Sequence, residues 1–213
     1  MDINFNQGLN NFDIVYYINL KHRKDRFEHI NNELNKTNID KNKINRIEGI
    51  YYEKFGILGC AKSHILALKS FIKSDKEICI IFEDDFEFTK TQDEINNLIN
   101  SFFNSNIDYD ILMLSSNILN SVETEHSFLI KILDAQTLSG YCVNKKFASK
   151  LLANFEESVY ILEKIGYKVH QYCFDIFMKK LQPTTNWYCL NPTIGKQIKS
   201  YSDIENKIVN YDC

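Results

Sequence analysis

Short apolar runs alternate along this chain with longer stretches in which apolar residues recur every three or four positions. The first pattern reads as strand, the second as amphipathic helix. Asp13–Leu20 is a first strand, and Phe27, Ile30 and Leu34 mark one face of a helix over Arg23–Lys36. A looser stretch at Ile44–Ile50 leads to a helix over Gly59–Ser74, striped by Ile65, Leu66, Leu68, Phe71 and Ile72. Ile78–Phe82 is apolar throughout, as a strand covered on both faces would be. Next come a polar helix near Asp93–Phe103, a strand at Asp110–Leu114, and a strand pair, Phe128–Leu133 with Leu138–Asn144. Helical patterns cover Lys145–Phe155, Val159–Ile165 and Tyr172–Leu181, before a short strand at Trp187–Leu190 and a basic, polar tail. This βαβα order predicts an α/β domain with a largely parallel sheet. No repeat or linker divides the sequence, so a single domain is expected over 1–213, with a core from about 13 to 204.

The apolar run Ile78–Phe82 ends abruptly in Glu83-Asp84-Asp85. Open α/β sheets bind ligands in the crevice beyond the carboxyl ends of their strands. Three carboxylates crowded there repel one another unless a cation or a set of hydroxyl donors compensates. Oxygen-only ligands suit a hard ion such as magnesium or manganese. A solvated acidic turn is the other reading of the same residues.

Composition narrows the class without naming a chemistry. Apolar content of 44% and charged content of 25% are those of an ordinary globular protein. A net charge of -3 gives no electrostatic reason to expect nucleic acid. Cys60, Cys79, Cys142, Cys173, Cys189 and Cys213 are scattered with no C-x-x-C pair, and several sit in apolar runs. That suits buried thiols in a reducing compartment. No segment approaches membrane-spanning length, and the polar start Met1-Asp2-Ile3-Asn4-Phe5-Asn6 is not a secretory signal, so a cytoplasmic location is expected.

Gly56-Ile57-Leu58-Gly59-Cys60-Ala61-Lys62-Ser63 comes close to the phosphate-cradling pattern G-x-x-x-x-G-K-[ST]. Ala61 replaces the second glycine, whose freedom at positive φ such a loop needs, and Tyr51–Phe55 is a poor buried strand. A P-loop is not expected.

Another set of motifs accounts for these residues and more. Ile18-Asn19-Leu20 closes the first strand and is followed by Arg23, Asp25 and Arg26. Gly59-Cys60-Ala61-Lys62-Ser63-His64 opens a helix, and Glu83-Asp84-Asp85 closes an apolar strand. Gly140-Tyr141 runs into a helix carrying Ala148-Ser149-Lys150-Leu151-Leu152; Asp175, Pro192, Gln197 and Ser202-Asp203-Ile204 follow. Taken together, in order from residue 14 to residue 204, these resemble family 25 glycosyltransferases, the group of bacterial lipooligosaccharide galactosyltransferases and procollagen galactosyltransferases. At 213 residues, one transferase domain is expected, without the second domain and retention tail of the animal collagen enzymes.

The resemblance implies a GT-A fold, one Rossmann-like domain using a UDP-linked sugar donor, galactose or glucose, with Mn2+ or Mg2+. The acceptors it implies are a glycan sugar or a collagen-type hydroxylysine. It makes Asp85 the direct metal ligand, with Glu83 reaching the metal through water or holding the ribose. Strand alternation puts Glu83 and Asp85 on one face, with Asp84 on the other or aimed at donor-sugar hydroxyls once the chain turns. Ile18, Asn19 and Leu20 end the first strand beside the nucleotide; Arg23 and Arg26 are then either pyrimidine or phosphate contacts, or solvated helix-start residues. Ser63 and His64 are donor contacts or packed core, and Gly140-Tyr141 a close backbone approach to the donor or, for Tyr141, core. The family's inverting chemistry calls for one base, for which Asp175 is the candidate, ahead of His170, Asp134 and Glu156. Asp175 otherwise reads as an acid on the exposed face of a helix. In the tail, Ser202 and Glu205 form the S-x-x-E box of a short helix, near Lys196 and Lys199, that would close over a bound diphosphate. A non-catalytic relative that binds nucleotide-sugar is the alternative to an enzyme, and a P-loop-like NTPase a third.

Overall fold

The computed structural model describes residues 8–204 and 207–210. The polar start Met1–Asn6, Glu205 of the expected capping box and Cys213 lie outside the described residues. Six strands form the central sheet in the order β2-β1-β3-β6-β5-β7: β1 Ile14–Leu20, β2 Ile44–Gly49, β3 Ile78–Glu83, β5 Ile111–Glu123, β6 Leu129–Asn144 and β7 Trp187–Leu190. β1 is parallel to β2 and β3, and β5 to β7; only β6 runs against the others, antiparallel to β3, β5 and β7. The largely parallel sheet expected from the βαβα order is therefore present.

Side chains alternate faces along a strand, so each central strand feeds two cores. Val15, Tyr17, Ile80, Phe82 and Cys142 pack with α1 (Lys24–Asn35) and α3 (Gln92–Asn104). Tyr16, Ile18, Cys79, Ile81 and Tyr141 pack with α2 (Gly56–Lys73) and α4 (Lys145–Ile165) on the other side. This is why Ile78–Phe82 is apolar at every position. By the same parity Glu83, one residue after Phe82, belongs to the α2 face.

The structure redraws several elements. The looser stretch at Ile44–Ile50 holds the edge strand β2 over Ile44–Gly49, half-buried at Ile44 and Ile47 and exposed at Asn45, Arg46 and Glu48. The separate strands at Phe128–Leu133 and Leu138–Asn144 are one long strand, β6, bulged against β5 at several points, and Asp110–Leu114 extends to Glu123. The two helices expected over 145–165 are one: Ser158 interrupts the apolar stripe, yet it is buried and donates to Tyr172 O at 2.6 Å. Tyr172–Leu181 holds only a four-residue helix, α5 (Phe174–Phe177), flanked by 3-10 turns. Gly56–Ser63 is the first two turns of α2, with Ala61 buried, so no phosphate loop exists there. The described tail has no helix: Ser202 ends strand β9 (Ser200–Ser202), antiparallel to β10 (Lys207–Val209), and its hydroxyl accepts from Ile204 N at 3.2 Å within a turn. No helix among the described residues is long and apolar enough to cross a membrane.

Candidate active site

A cavity of about 340 Å³ opens at the carboxyl ends of β1 and β3, a size suited to small-molecule ligands. Parallel pairing sets Ile18 opposite Glu83, so the acidic turn Asp84-Asp85 leaves the sheet beside the start of α1. The chain then reverses into β4 (Phe86–Phe88), whose partner β8 (Gly195–Gln197) puts Gln197 opposite Phe86. Ile198 N donates to Asp85 O at 2.9 Å, which fixes the turn to the tail.

Glu83 faces α2, as its parity requires, and is held there by three side chains. His64 Nε2 lies 3.1 Å from Glu83 Oε1, Cys60 Sγ donates to the same oxygen at 3.4 Å, and Gln197 Nε2 donates to Oε2 at 3.1 Å. Behind the imidazole, the Tyr141 hydroxyl sits 3.1 Å from His64 Nδ1, completing a buried chain of hydrogen bonds. Burial is the largest influence and works against the Glu83 charge, but the bond and charge of His64, the Cys60 bond and the Arg26 charge together hold the carboxyl below its ordinary value. Burial and the neighbouring Glu83 charge push the Cys60 thiol well up, so it stays protonated and donates.

The next two acids are tied to α1. Arg26 Nη1 lies 3.1 Å from Asp84 Oδ1 and 3.0 Å from Asp85 Oδ2; its Nη2 donates to Ser200 Oγ at 2.7 Å and Tyr201 O at 2.8 Å. Asn19 Nδ2 donates to Asp84 Oδ2 at 2.7 Å, and Gln197 Nε2 to Asp85 Oδ1 at 3.3 Å. One guanidinium does not balance three carboxylates. Burial first, then the charges of Glu83 and Asp84, push the Asp85 carboxyl up to about 7 in spite of Arg26, and burial raises Asp84 as well. Arg23 is differently engaged, forked onto Asp25 at 3.0 and 2.8 Å and paired with Asp203 of the tail.

The other wall comes from the β5–β6 bulge and α5. Asn117, Gln136 and Thr137 line the cavity together with Asp175 in the first turn of α5. Thr137 has φ 69°, a left-handed conformation that costs a β-branched residue of order 1–3 kcal/mol. This bend turns its backbone amide onto the Asp175 carboxylate. Burial, then the Glu83 charge, raise the Asp175 carboxyl above the usual range.

The expected site residues fall into two groups. Ile18, Leu20, Arg23, Arg26, Ser63, Glu83, Asp84, Asp85, Asp175 and Ser202 line the one cavity. The strand stops at Glu83, so alternation places Glu83, and the turn, not alternation, brings Asp84 and Asp85 to the same cavity. Asn19, His64, Gly140, Tyr141 and Lys196 do not line it. Asn19 and His64 stand behind the acids as their donors, and Tyr141 is core against His64. A Cβ on Gly140 would lie 2.5 Å from Phe86 Cε2, so this glycine admits an aromatic ring of the core, not a donor sugar. Lys196 alternates away from Gln197 and reaches Glu87 at 3.5 Å on the surface. Ser63 is occupied in holding the loop before α2, donating to Gly59 O at 2.7 Å and accepting from Ile50 N at 2.8 Å. Of the alternative bases His170 lines the cavity, whereas Asp134 pairs with Lys179 at 2.5 Å and Glu156 with Lys69 at 2.7 Å. Sequence reasoning missed Cys60 and Gln197 as site residues, although both lie in motifs it used. Asn117, Gln136 and Thr137 carry no local signal, because a bulge brought them in.

The donor set fits a hard divalent cation beside Asp85. Uncompensated carboxylate charge is concentrated there, and Gln197 Oε1 is buried with no hydrogen-bond partner among the described residues. A second set, Cys60 Sγ, His64 Nε2 and Glu83 Oε1, has its atoms within 4.8 Å of one another. Its protonated thiol makes it a clamp on Glu83.

A glycosyltransferase involved in the glycosylation of the major capsid of PBCV-1 shares this fold, with TM-score 0.51 and 9% identity over 91% of this chain and 96% of that one. A197 from STIV aligns with TM-score 0.47 and 12% identity over 92% of each chain. Mannose-1-phosphate geranyltransferase from Thermus thermophilus aligns with TM-score 0.49 and 6% identity, over 83% of this chain and 72% of that one. No curated protein matches. The six-stranded central sheet with one reversed strand and the first of these neighbours give a GT-A-type α/β fold. The sequence pattern of glycosyltransferase family 25 (LPS biosynthesis protein) matches residues 54–178, more than half of the chain and spanning the α2 motif, the acidic turn and Asp175. This chain therefore belongs to glycosyltransferase family 25.

Proposed function

We propose that this glycosyltransferase moves a hexose, galactose or glucose, from a UDP-sugar to a hydroxyl of a glycan or of a collagen-type hydroxylysine, with inversion at the anomeric carbon. One observation carries the reading: the buried, charge-unbalanced turn Glu83-Asp84-Asp85 shares a cavity with Asp175 and the Arg26 guanidinium. Asp85, with Glu83, would hold Mn2+ or Mg2+, and the neighbouring orphaned Gln197 Oε1 suits such an ion. When bound, the ion neutralises charge on the departing diphosphate as a Lewis acid. His64 and Cys60 keep Glu83 in place and charged, so the acidic turn is preorganised. Asp175, with its carboxyl raised by burial, takes the proton of the attacking hydroxyl at Oδ as the new bond forms. Inversion needs only this one base and no covalent intermediate. Arg26 joins the acids to the β9 strand, and Arg23 joins α1 to Asp203, so the tail is fastened over the same cavity.

The test is UDP release from a panel of UDP-sugars, with manganese or with EDTA, comparing the natural chain with Asp85→Ala. Manganese-dependent release from one sugar, lost in the variant, supports the reading and names the donor. Equal turnover by Asp85→Ala would overturn the metal assignment. UDP binding without release from any donor would favour a nucleotide-sugar-binding relative.

A further inference from the structure

We propose that Asn117 and Gln136 form a hydroxyl-reading subsite for a pyranose ring beside Asp175; the proposal rests on the transferase reading above. The two residues are opposite one another in the β5–β6 pairing, and opposed residues of antiparallel strands project from the same face. Both line the cavity, both are partly exposed in it, and neither side-chain amide has a hydrogen-bond partner among the described residues. A carboxamide offers a donor and an acceptor together, which matches a sugar hydroxyl that must donate and accept at once. Two neutral carboxamides side by side match adjacent hydroxyls of a ring. A diphosphate would instead call for the cationic side of the cavity.

The backbone beneath the pair is built with unusual firmness. Gln182 is fully buried and grips Ala135 on both sides, accepting from its N–H at 2.8 Å and donating to its carbonyl at 2.9 Å. Ser116 Oγ donates to Gln136 O at 2.9 Å, and Asn117 N donates to Thr137 Oγ1 at 3.2 Å. Thr137, in its left-handed conformation, then hands its amide to Asp175. One strained bulge thus places the carboxamides and the proposed base together. Such rigidity lowers the ordering cost of binding and lets the pair tell one hydroxyl configuration from another.

Shape-conserving variants Asn117→Leu and Gln136→Met, singly and together, remove hydrogen bonding while keeping volume. Three ligands are titrated with Mn2+ present: UDP, UDP-galactose and UDP-glucose. Methyl galactoside and methyl glucoside are then followed by saturation transfer on the UDP complex. If the ring is the donor's, the variants lose about tenfold affinity for the preferred UDP-hexose and none for UDP. If it is the acceptor's, UDP-hexose affinity holds and the methyl hexoside signal is lost. Unchanged binding of both UDP-hexose and methyl hexoside, or an equal fall for UDP itself, overturns the subsite. Failure of the natural chain to bind UDP or any UDP-hexose overturns the transferase reading, and this inference with it.

Discussion

Arg26 and Asp85 are joined at 3.0 Å across the gap between α1 and the acidic turn, and the same guanidinium reaches the carbonyl of Tyr201 at 2.8 Å. One side chain therefore offsets part of the charge of Asp84 and Asp85 and pins the tail. Breaking a buried ion pair by removing one partner costs roughly 3–5 kcal/mol, because the other charge stays buried. Arg26→Ala is expected to melt several degrees lower in EDTA and to recover most of that loss in manganese. Proteolysis of the β9–β10 ribbon should also quicken. An unchanged melting temperature in EDTA would show that the pair is not stabilising the acids.

Asp85 sets a pH dependence with a definite sign. Its carboxyl titrates near 3.8 when unfolded and near 7 in the folded chain, so between these values the native state holds the extra proton. Stability should therefore fall as pH rises from about 4 to about 7, by up to about 1.4 kcal/mol per pH unit for this group. Asp84 and Asp175, also raised, act in the same direction. Urea melts in EDTA at pH 5 and pH 8 should show the natural chain weaker at pH 8, and Asp85→Asn with a smaller difference. Saturating manganese should reverse the trend, since metal competes with the proton.

Asp175→Asn is expected to keep UDP affinity within about twofold while the rate of transfer drops by about 10²–10⁴. Burial raises the carboxyl of the natural residue, so the acid limb of its rate profile should lie above the usual carboxylate range. The limb should vanish in the variant. Turnover within a factor of three of the natural chain would move the base elsewhere, first to His170 on the same cavity wall.

Phe86 tests the support beneath the site. Its ring is fully buried, with centroids 4.6 Å from Phe82 and 5.0 Å from Phe88, in a slot where a Cβ on Gly140 or Gly195 would come within 2.5 and 2.0 Å. Phe86→Ala should cost about 3–5 kcal/mol through the cavity left behind. Gly140→Ala should cost about 1–3 kcal/mol by overpacking, with the folded fraction binding UDP as before. Denaturant melts paired with UDP titration separate the two effects; a loss of UDP affinity in folded Gly140→Ala would return that glycine to the donor site.

What the sequence by itself determined is local. Period-two and helical spacing located most strands and helices, because burial on one or both faces imprints those periods directly. The acid-tipped strand announced the site, since three adjacent carboxylates after an apolar run have few comfortable places in a sheet. The motif around Cys60, Ser63 and His64 marked α2, though its residues serve as a clamp behind Glu83 and a loop fastening. Tertiary structure decided the rest. Whether Asp84 and Asp85 joined Glu83 in one cavity depended on a turn that the strand pattern did not show. Gln197 reached Glu83 and Asp85 through the β4–β8 ribbon, and Asp203 of the tail reached Arg23, contacts separated by more than a hundred residues in the chain. Asn117, Gln136 and Thr137 entered through a bulge, which shifts register without altering composition. Hydrophobic spacing records which face of an element is covered; it does not record which distant polar groups that covering brings together.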